Sequence, residues 1–238
     1  MMNISQRLTT CLRLALDLIA PRVCPECGRR FDSSGKELCP YCLKHYPRTN
    51  YQLSPTDNDL ARLFWGQFPI ERAVAFYYYS PQSKLSKVVH AFKYHGRTQL
   101  AEELGELMAK ELLPNGIFEG IDALIPLPLA PVREQERGYN QAYLLAEGIS
   151  KITGIPIYNN VVKREEFLQR QTQLGIWQRR QNVDDAFKLV DANTLKGLHV
   201  MLVDDVITTG ATITACARQL ATVPDVTISV LTLAHTVN

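Results

Sequence analysis

Two groups of residues in this chain have the types and spacing to do chemistry. The first is Asp204-Asp205-Val206-Ile207-Thr208-Thr209-Gly210-Ala211-Thr212, which follows the apolar run 198–203. Two carboxylates at the tip of a strand can bind ribose hydroxyls or a magnesium-bearing substrate. The hydroxyls and amides of a Thr-Thr-Gly-Ala-Thr turn, opening onto a helix, make a cradle for a dianionic phosphate. No Gly-Lys-Ser/Thr follows and no GxGxxG is present, so neither a Walker loop nor a dinucleotide fingerprint fits. The second group is Cys24-Pro-Glu-Cys27 with Cys39-Pro-Tyr-Cys42, eleven residues apart. Two C-x2-C knuckles let four thiolates converge on one structural zinc ion, and the metal then supplies folding energy that so short a segment lacks. Paired disulfides are disfavoured without an export signal. Cys11 and Cys216 have no spaced partners and read as packing residues.

Charge supplies further candidates. Lys84, Lys87, Lys93 and Arg97 stand together without an acid, a local +4. Lys163, Arg164, Arg170, Arg179 and Arg180 against Glu165 and Glu166 give +3, so a chain of formal net charge +2 is −5 elsewhere. Such clustering suits a polyanion, although a solvated helix face would look the same in either run alone. Lys93, Arg97 and Trp177 are the candidates for single-stranded DNA, the indole as a stacking surface for a base. Arg133 and Arg137 are placed to clamp anionic oxygens, with Glu134 and Glu136 as the competing surface network. His90 and His95 have no metal-like spacing and read as surface or packing residues.

These groups need elements to position them. The 238 residues, 46% hydrophobic and 21% charged, match a soluble globular chain. Strands are expected at 72–79, 121–127, 155–162, 198–204 and 226–233. Helical spacing runs through Leu85–Phe92, Leu100–Leu112, Ala142–Ile149 and Ile213–Leu220. Strands alternating with helices imply an α/β fold with a mostly parallel sheet, whose ligands collect at the carboxyl ends of the strands. The expected domains are an N-terminal helix and four-cysteine zinc-binding module at 1–50, a polar linker at 51–70 and the α/β domain at 71–238. No apolar run reaches the roughly 18 residues of a membrane span. The best stretch, 11–23, is cut by Arg13, Asp17 and Arg22 and reads as an amphipathic helix. A cytoplasmic location is expected.

The stretch 203–212 resembles the phosphoribosyl-pyrophosphate signature of type I phosphoribosyltransferases. More narrowly, the chain is similar to the ComF/GntX group, associated with natural competence and DNA uptake or utilisation. The carriers are the cysteine pairs, Phe92-Lys93-Tyr94 with Gly96-Arg97, Ile125-Pro126-Leu127-Pro128 and Arg137-Gly138-Tyr139-Asn140-Gln141-Ala142. Gln171, Leu174, Arg179, Asn182 and Ala186-Phe187 add to them, and the order matches along nearly the whole chain. At Leu168 the group usually has Thr. The resemblance implies a type I phosphoribosyltransferase-like parallel sheet flanked by helices, with a small zinc-ribbon-like domain before it. It implies that Asp204 and Asp205 face the ribose hydroxyls of Mg²⁺-phosphoribosyl pyrophosphate and that Thr208, Thr209, Gly210, Ala211 and Thr212 hold its 5′-phosphate. The loop 126–131, with Arg133, Arg137, Arg179 and Arg180, is then the pyrophosphate side, and residues 164–181 a loop that closes over the site. Competence-machinery proteins are the implied partners. Two readings follow: a competence protein that binds phosphoribosyl pyrophosphate and handles single-stranded DNA, or a phosphoribosyltransferase with an unidentified nucleobase or amine acceptor.

Overall fold

The computed structural model describes residues 23–24, 26–30, 38–165 and 186–236. The chain divides into two compact units, Met1–Tyr46 and Pro47–Asn238. In the first, Val23 and Arg30 form an antiparallel bridge, and helix α1 (Pro40–His45) starts at the second cysteine pair. The amphipathic helix expected around 8–23 lies almost wholly outside the described residues.

The second unit begins with residues expected to be a linker. Instead they carry a 3-10 turn (Tyr51–Leu53) and helix α2 (Asp59–Phe64), and Tyr51, Leu60 and Phe64 are buried. Asn58 starts α2 by accepting the amides of Leu60 and Ala61, both at 3.0 Å, while its own amide donates to the Ala73 carbonyl at 2.9 Å. An asparagine cap that also bonds the neighbouring strand ties this stretch into the fold. Composition alone, polar with one proline, concealed that role.

Strand β1 (Arg72–Tyr79) leads into helices α3 (Lys84–Tyr94) and α4 (Thr98–Leu112), then β2 (Ala123–Pro126). Helices α5 (Pro131–Arg137) and α6 (Gln141–Thr153) follow, then the short strands β3 (Val162–Arg164) and β4 (Phe187–Leu189). The chain closes with β5 (His199–Ile207), α7 (Ala211–Leu220) and β6 (Thr227–Thr236). The main sheet runs β1-β6-β5-β2, with every pairing parallel. Consecutive residues such as Met201, Leu202 and Val203 are all fully buried, so both faces of the sheet are covered. Helices α4 and α6 pack on each other and over β6, β5 and β2.

Alternation of strand and helix therefore produced the expected parallel α/β sheet flanked by helices, with a cysteine module preceding it. Two strands are shorter than expected, β2 at Ala123–Pro126 within 121–127 and the stretch 155–162. Of 155–162, only Ile157 bridges β2, because Pro156 lacks an amide donor and Asn159-Asn160 break the extended run. Val162 instead starts β3, which pairs antiparallel with β4 in a separate two-stranded sheet.

Candidate functional site

Parallel pairing brings the carboxyl ends of β5 and β2 side by side, with Pro126 opposite Val203 and the Leu127 amide donating to the Val203 carbonyl at 2.8 Å. The loop after β2 and the Asp204-Asp205 pair thus share one edge of the sheet. Asp205 is buried and accepts from Lys93 Nζ at 2.9 Å, a contact across 112 positions of sequence. Its own amide donates to Asp204 Oδ1 at 2.8 Å. Among the described residues, no cation is in contact with Asp204, which is enclosed by protein although its surface is not fully covered. That enclosure and the adjacent Asp205 charge push its carboxyl up to about 7, against the opposing pull of the Asp205 amide, Lys93 and Arg164.

Beyond the carboxylates the chain turns into α7. Gly210 adopts a left-handed φ of 74°, and a Cβ there would meet the Phe64 ring at 2.9 Å. Only glycine fits this corner. The helix starts without a side-chain cap. Among the described residues, the hydroxyls of Thr208, Thr209 and Thr212 make no hydrogen bond, and Thr208 and Thr209 are exposed. A shallow concavity of about 50 Å³ lies against Asp204 and residues 206–213. It offers hydroxyls and helix-terminal amides to a small anion.

Cations stand on three further elements, α3, α5 and β3. Arg137 donates to Gln141 Oε1 at 2.6 Å and to the Tyr94 hydroxyl at 3.4 Å, its guanidinium 5.0 Å from the Tyr94 ring centroid. Tyr139 donates to the Phe92 carbonyl at 2.6 Å, and Asn140 both caps α6 and bonds the Leu127 carbonyl at 3.0 Å. These bonds fix the end of α3 to the start of α6. Between them lies a cavity of about 300 Å³ lined by Lys93, Tyr94, Arg133, Glu136 and Arg137. Arg164, at the end of β3, is held below its ordinary proton affinity by burial and by the charge of Arg133, partly offset by Asp204. Two arginines that repel each other form an environment that a bound anion would relieve.

Arg133, Arg137 and Lys93 thus line one cavity, and Lys93 reaches Asp205, while Arg97 sits exposed at the start of α4. Arg179, Arg180 and Trp177 lie outside the described residues. Arg164 entered the sequence reading only as one charge in a basic run. Nothing local to it foretold a place beside a carboxylate 40 positions later.

In the first unit the four cysteine sulfurs lie within 4.8 Å of one another. Cys24 and Cys42 are 3.8 Å apart, and Cys27 and Cys39 3.6 Å. Bonds of about 2.3 Å to a tetrahedral ion would set neighbouring sulfurs about 3.8 Å apart, well beyond a disulfide. None of the four is in a disulfide. Cys42 is pushed strongly upward by burial and by the other three sulfurs, and Cys39 is also raised, chiefly by burial. For Cys24 burial is outweighed by the Cys39, Cys27 and Glu26 amides, which bring it to about 7. Crowded thiols that resist ionising together are what a metal cation relieves, so the cluster can hold one.

No family model matches the chain. Competence protein F of Haemophilus influenzae is 36% identical over 140 residues, 57% of this chain and 61% of that protein. DNA utilization protein YhgH of Shigella flexneri is 30% identical over 217 residues, 90% of each chain. Among solved structures, the glutamine phosphoribosylpyrophosphate amidotransferase of B. subtilis aligns with 59% of this chain and 30% of its own, at 19% identity and a TM-score of 0.40. That likeness is too loose to bear on chemistry. No described helix is long and apolar enough to cross a membrane. With similarity spanning nine-tenths of both sequences, the chain belongs to the ComF family of competence and DNA-utilisation proteins.

Proposed function

We propose that the protein acts in DNA uptake or utilisation, binding phosphoribosyl pyrophosphate with Mg²⁺ at the β5–α7 turn and handling single-stranded DNA. The observation that carries the ligand is the direct succession of Asp204-Asp205 into a helix-opening turn whose three threonine hydroxyls have no partner among the described residues. The phosphate end would take Thr208 to Thr212, and the ribose end would face the two carboxylates. Mg²⁺ fits this donor set, because burial and the Asp205 charge hold the Asp204 carboxyl near 7 in spite of Lys93 and Arg164, and a divalent cation would relieve the repulsion between the two carboxylates. When bound, the ion would neutralise the pyrophosphate oxygens. Arg133, Arg137 and Arg164 are the residues of this chain that would orient that end. Zinc is the metal proposed for Cys24, Cys27, Cys39 and Cys42, since four thiolates in a closed tetrahedron suit it best.

Calorimetric titration with phosphoribosyl pyrophosphate and Mg²⁺ tests the site. Asp205→Asn should weaken binding at least tenfold, and because it also breaks the buried pair with Lys93, thermal melting confirms that the variant is folded at the titration temperature. Equal affinity in the two proteins rules the site out. The DNA role rests on the name and coverage of the relatives and on the concentration of charge in residues 84–97 and 163–182. A pyrophosphate-release assay run beside DNA binding separates a turning-over transferase from a binding protein.

A further inference from the structure

Lys93 belongs to two places at once. Its ammonium donates to Asp205 at 2.9 Å, and its side chain is also part of the wall of the cavity of about 300 Å³ that Arg133 and Arg137 line. The side chains of this ion pair are only 20% and 11% exposed, so water does little to screen it. Removing one charge from such a pair is costly, because the other is left buried and unpaired. An exchange in which each charge finds a new partner avoids that cost. The chain on either side of Lys93 is held: the Phe92 carbonyl accepts from Tyr139 at 2.6 Å, and the Tyr94 hydroxyl from Arg137 at 3.4 Å. Movement of the ammonium is therefore a rotamer change of its flexible four-carbon stem. A wider cleft of about 750 Å³ also has Lys93 on its wall and reaches Thr208, so open space adjoins the stem on that side too.

We propose that Lys93 couples the carboxylate pair to the arginine-lined cavity: it neutralises Asp205 in the free protein and passes to a phosphate-bearing anion that enters the cavity, which frees Asp205 for a divalent cation. The proposal deepens the reading given above and rests on it for the nature of the ligand. Without an anion, the ammonium beside Asp205 repels a cation that approaches the carboxylates. With an anion on Arg133 and Arg137, the ammonium gains a partner there, and Asp205 becomes an oxygen donor of the kind Mg²⁺ prefers. Cation and anion therefore strengthen each other's binding by the same factor, as linkage requires. A purely structural ion pair predicts something else: its loss lowers stability and affects both ions alike.

Three calorimetric titrations of the full chain at pH 8 test this: Mg²⁺ alone, sodium pyrophosphate without Mg²⁺, and phosphoribosyl pyrophosphate with Mg²⁺. Lys93→Met removes the charge and keeps the length of the stem. Lys93→Gln retains a donor for Asp205 and takes its place where thermal melting shows the Met variant unfolded. The neutral variant should bind Mg²⁺ about tenfold more tightly than the parent and pyrophosphate about tenfold more weakly. Unchanged affinity for either ion, or a change of the same sign in both, overturns the proposal. Should the opposite changes occur in a protein that does not bind phosphoribosyl pyrophosphate, the coupling stands and the reading of the turn falls. Should the parent bind phosphoribosyl pyrophosphate while the neutral variant alters neither affinity, the turn stands and the coupling falls.

Discussion

Asp204 and Asp205 are neighbours in sequence with opposite electrostatic fates. Asp205 is neutralised by Lys93, whereas Asp204 is enclosed beside Asp205 and raised from 3.8 to about 7. An unfolded chain ionises this carboxyl near its ordinary value, while the folded protein keeps the proton until about 7. Between those values the folded state binds more protons, so its stability falls as pH rises. Asp204→Asn removes that penalty. Its stability relative to the parent should therefore increase from pH 5 to pH 7 by about 2 kcal/mol and then level off. Urea unfolding of both proteins at pH 5, 6, 7 and 8 measures this, and a constant difference would contradict the enclosure of that charge.

Among the elements, the α4–α6 contact is the tightest constraint on the site. Asn140 and Tyr139 at the start of α6 hold the loop after β2 and the end of α3, so the seat of α6 sets the distance between these parts. The two helices approach through Gly105 and Gly148. A Cβ on Gly105 would collide with the Leu145 carbonyl oxygen, and one on Gly148 with that of Glu102. Alanine favours an exposed helix interior by about 1 kcal/mol over glycine. Here the backbone collision outweighs that gain, and Gly148→Ala should lower stability by about 2 kcal/mol. The urea midpoint reports it, and a stabilised variant would show that the helices can move apart freely. Arg48 makes a bidentate pair with Glu111 at 2.7 and 3.0 Å, but it lies near the surface and contributes far less.

For the molecule as a whole, the two units differ in what holds them together. Pro47–Asn238 has an extensive apolar core. In the first unit the buried described residues are Cys24, Leu38, Cys39, Cys42 and Tyr46, three of them metal-ligand candidates. Chelation should therefore unfold Met1–Tyr46 selectively. Limited proteolysis after metal removal should cut before Pro47 and leave the larger unit intact, and elemental analysis should find one zinc per chain beforehand. Unchanged cleavage would mean that the metal is not structural. Charge gives a second prediction at this scale. Single-stranded DNA should bind with a log-affinity slope of about −0.7 per phosphate contact against log salt. Replacing Lys84, Lys87, Arg97, Arg179 and Arg180 by Ala should flatten that slope in filter-binding titrations. An unaltered slope would move the interface elsewhere.

The sequence by itself determined whatever depends on near neighbours. A β-rich run gave β1, and period-3.6 spacing gave α3, α4, α6 and α7, because each of these helices buries its own stripe; Cys-x2-Cys spacing gave the cluster, because each knuckle is four residues long. The 204–212 turn was legible for the same reason, since strand, carboxylates, glycine corner and helix start are contiguous. The tertiary structure alone decided which strands are adjacent, and so placed the loop after β2 beside Asp204. It brought Lys93 to Asp205, Arg164 toward Asp204, and Tyr51, Leu60 and Phe64 of the expected linker into the core. These contacts join residues far apart in the chain, and their energies come from burial and charge in the assembled fold, which no local pattern encodes.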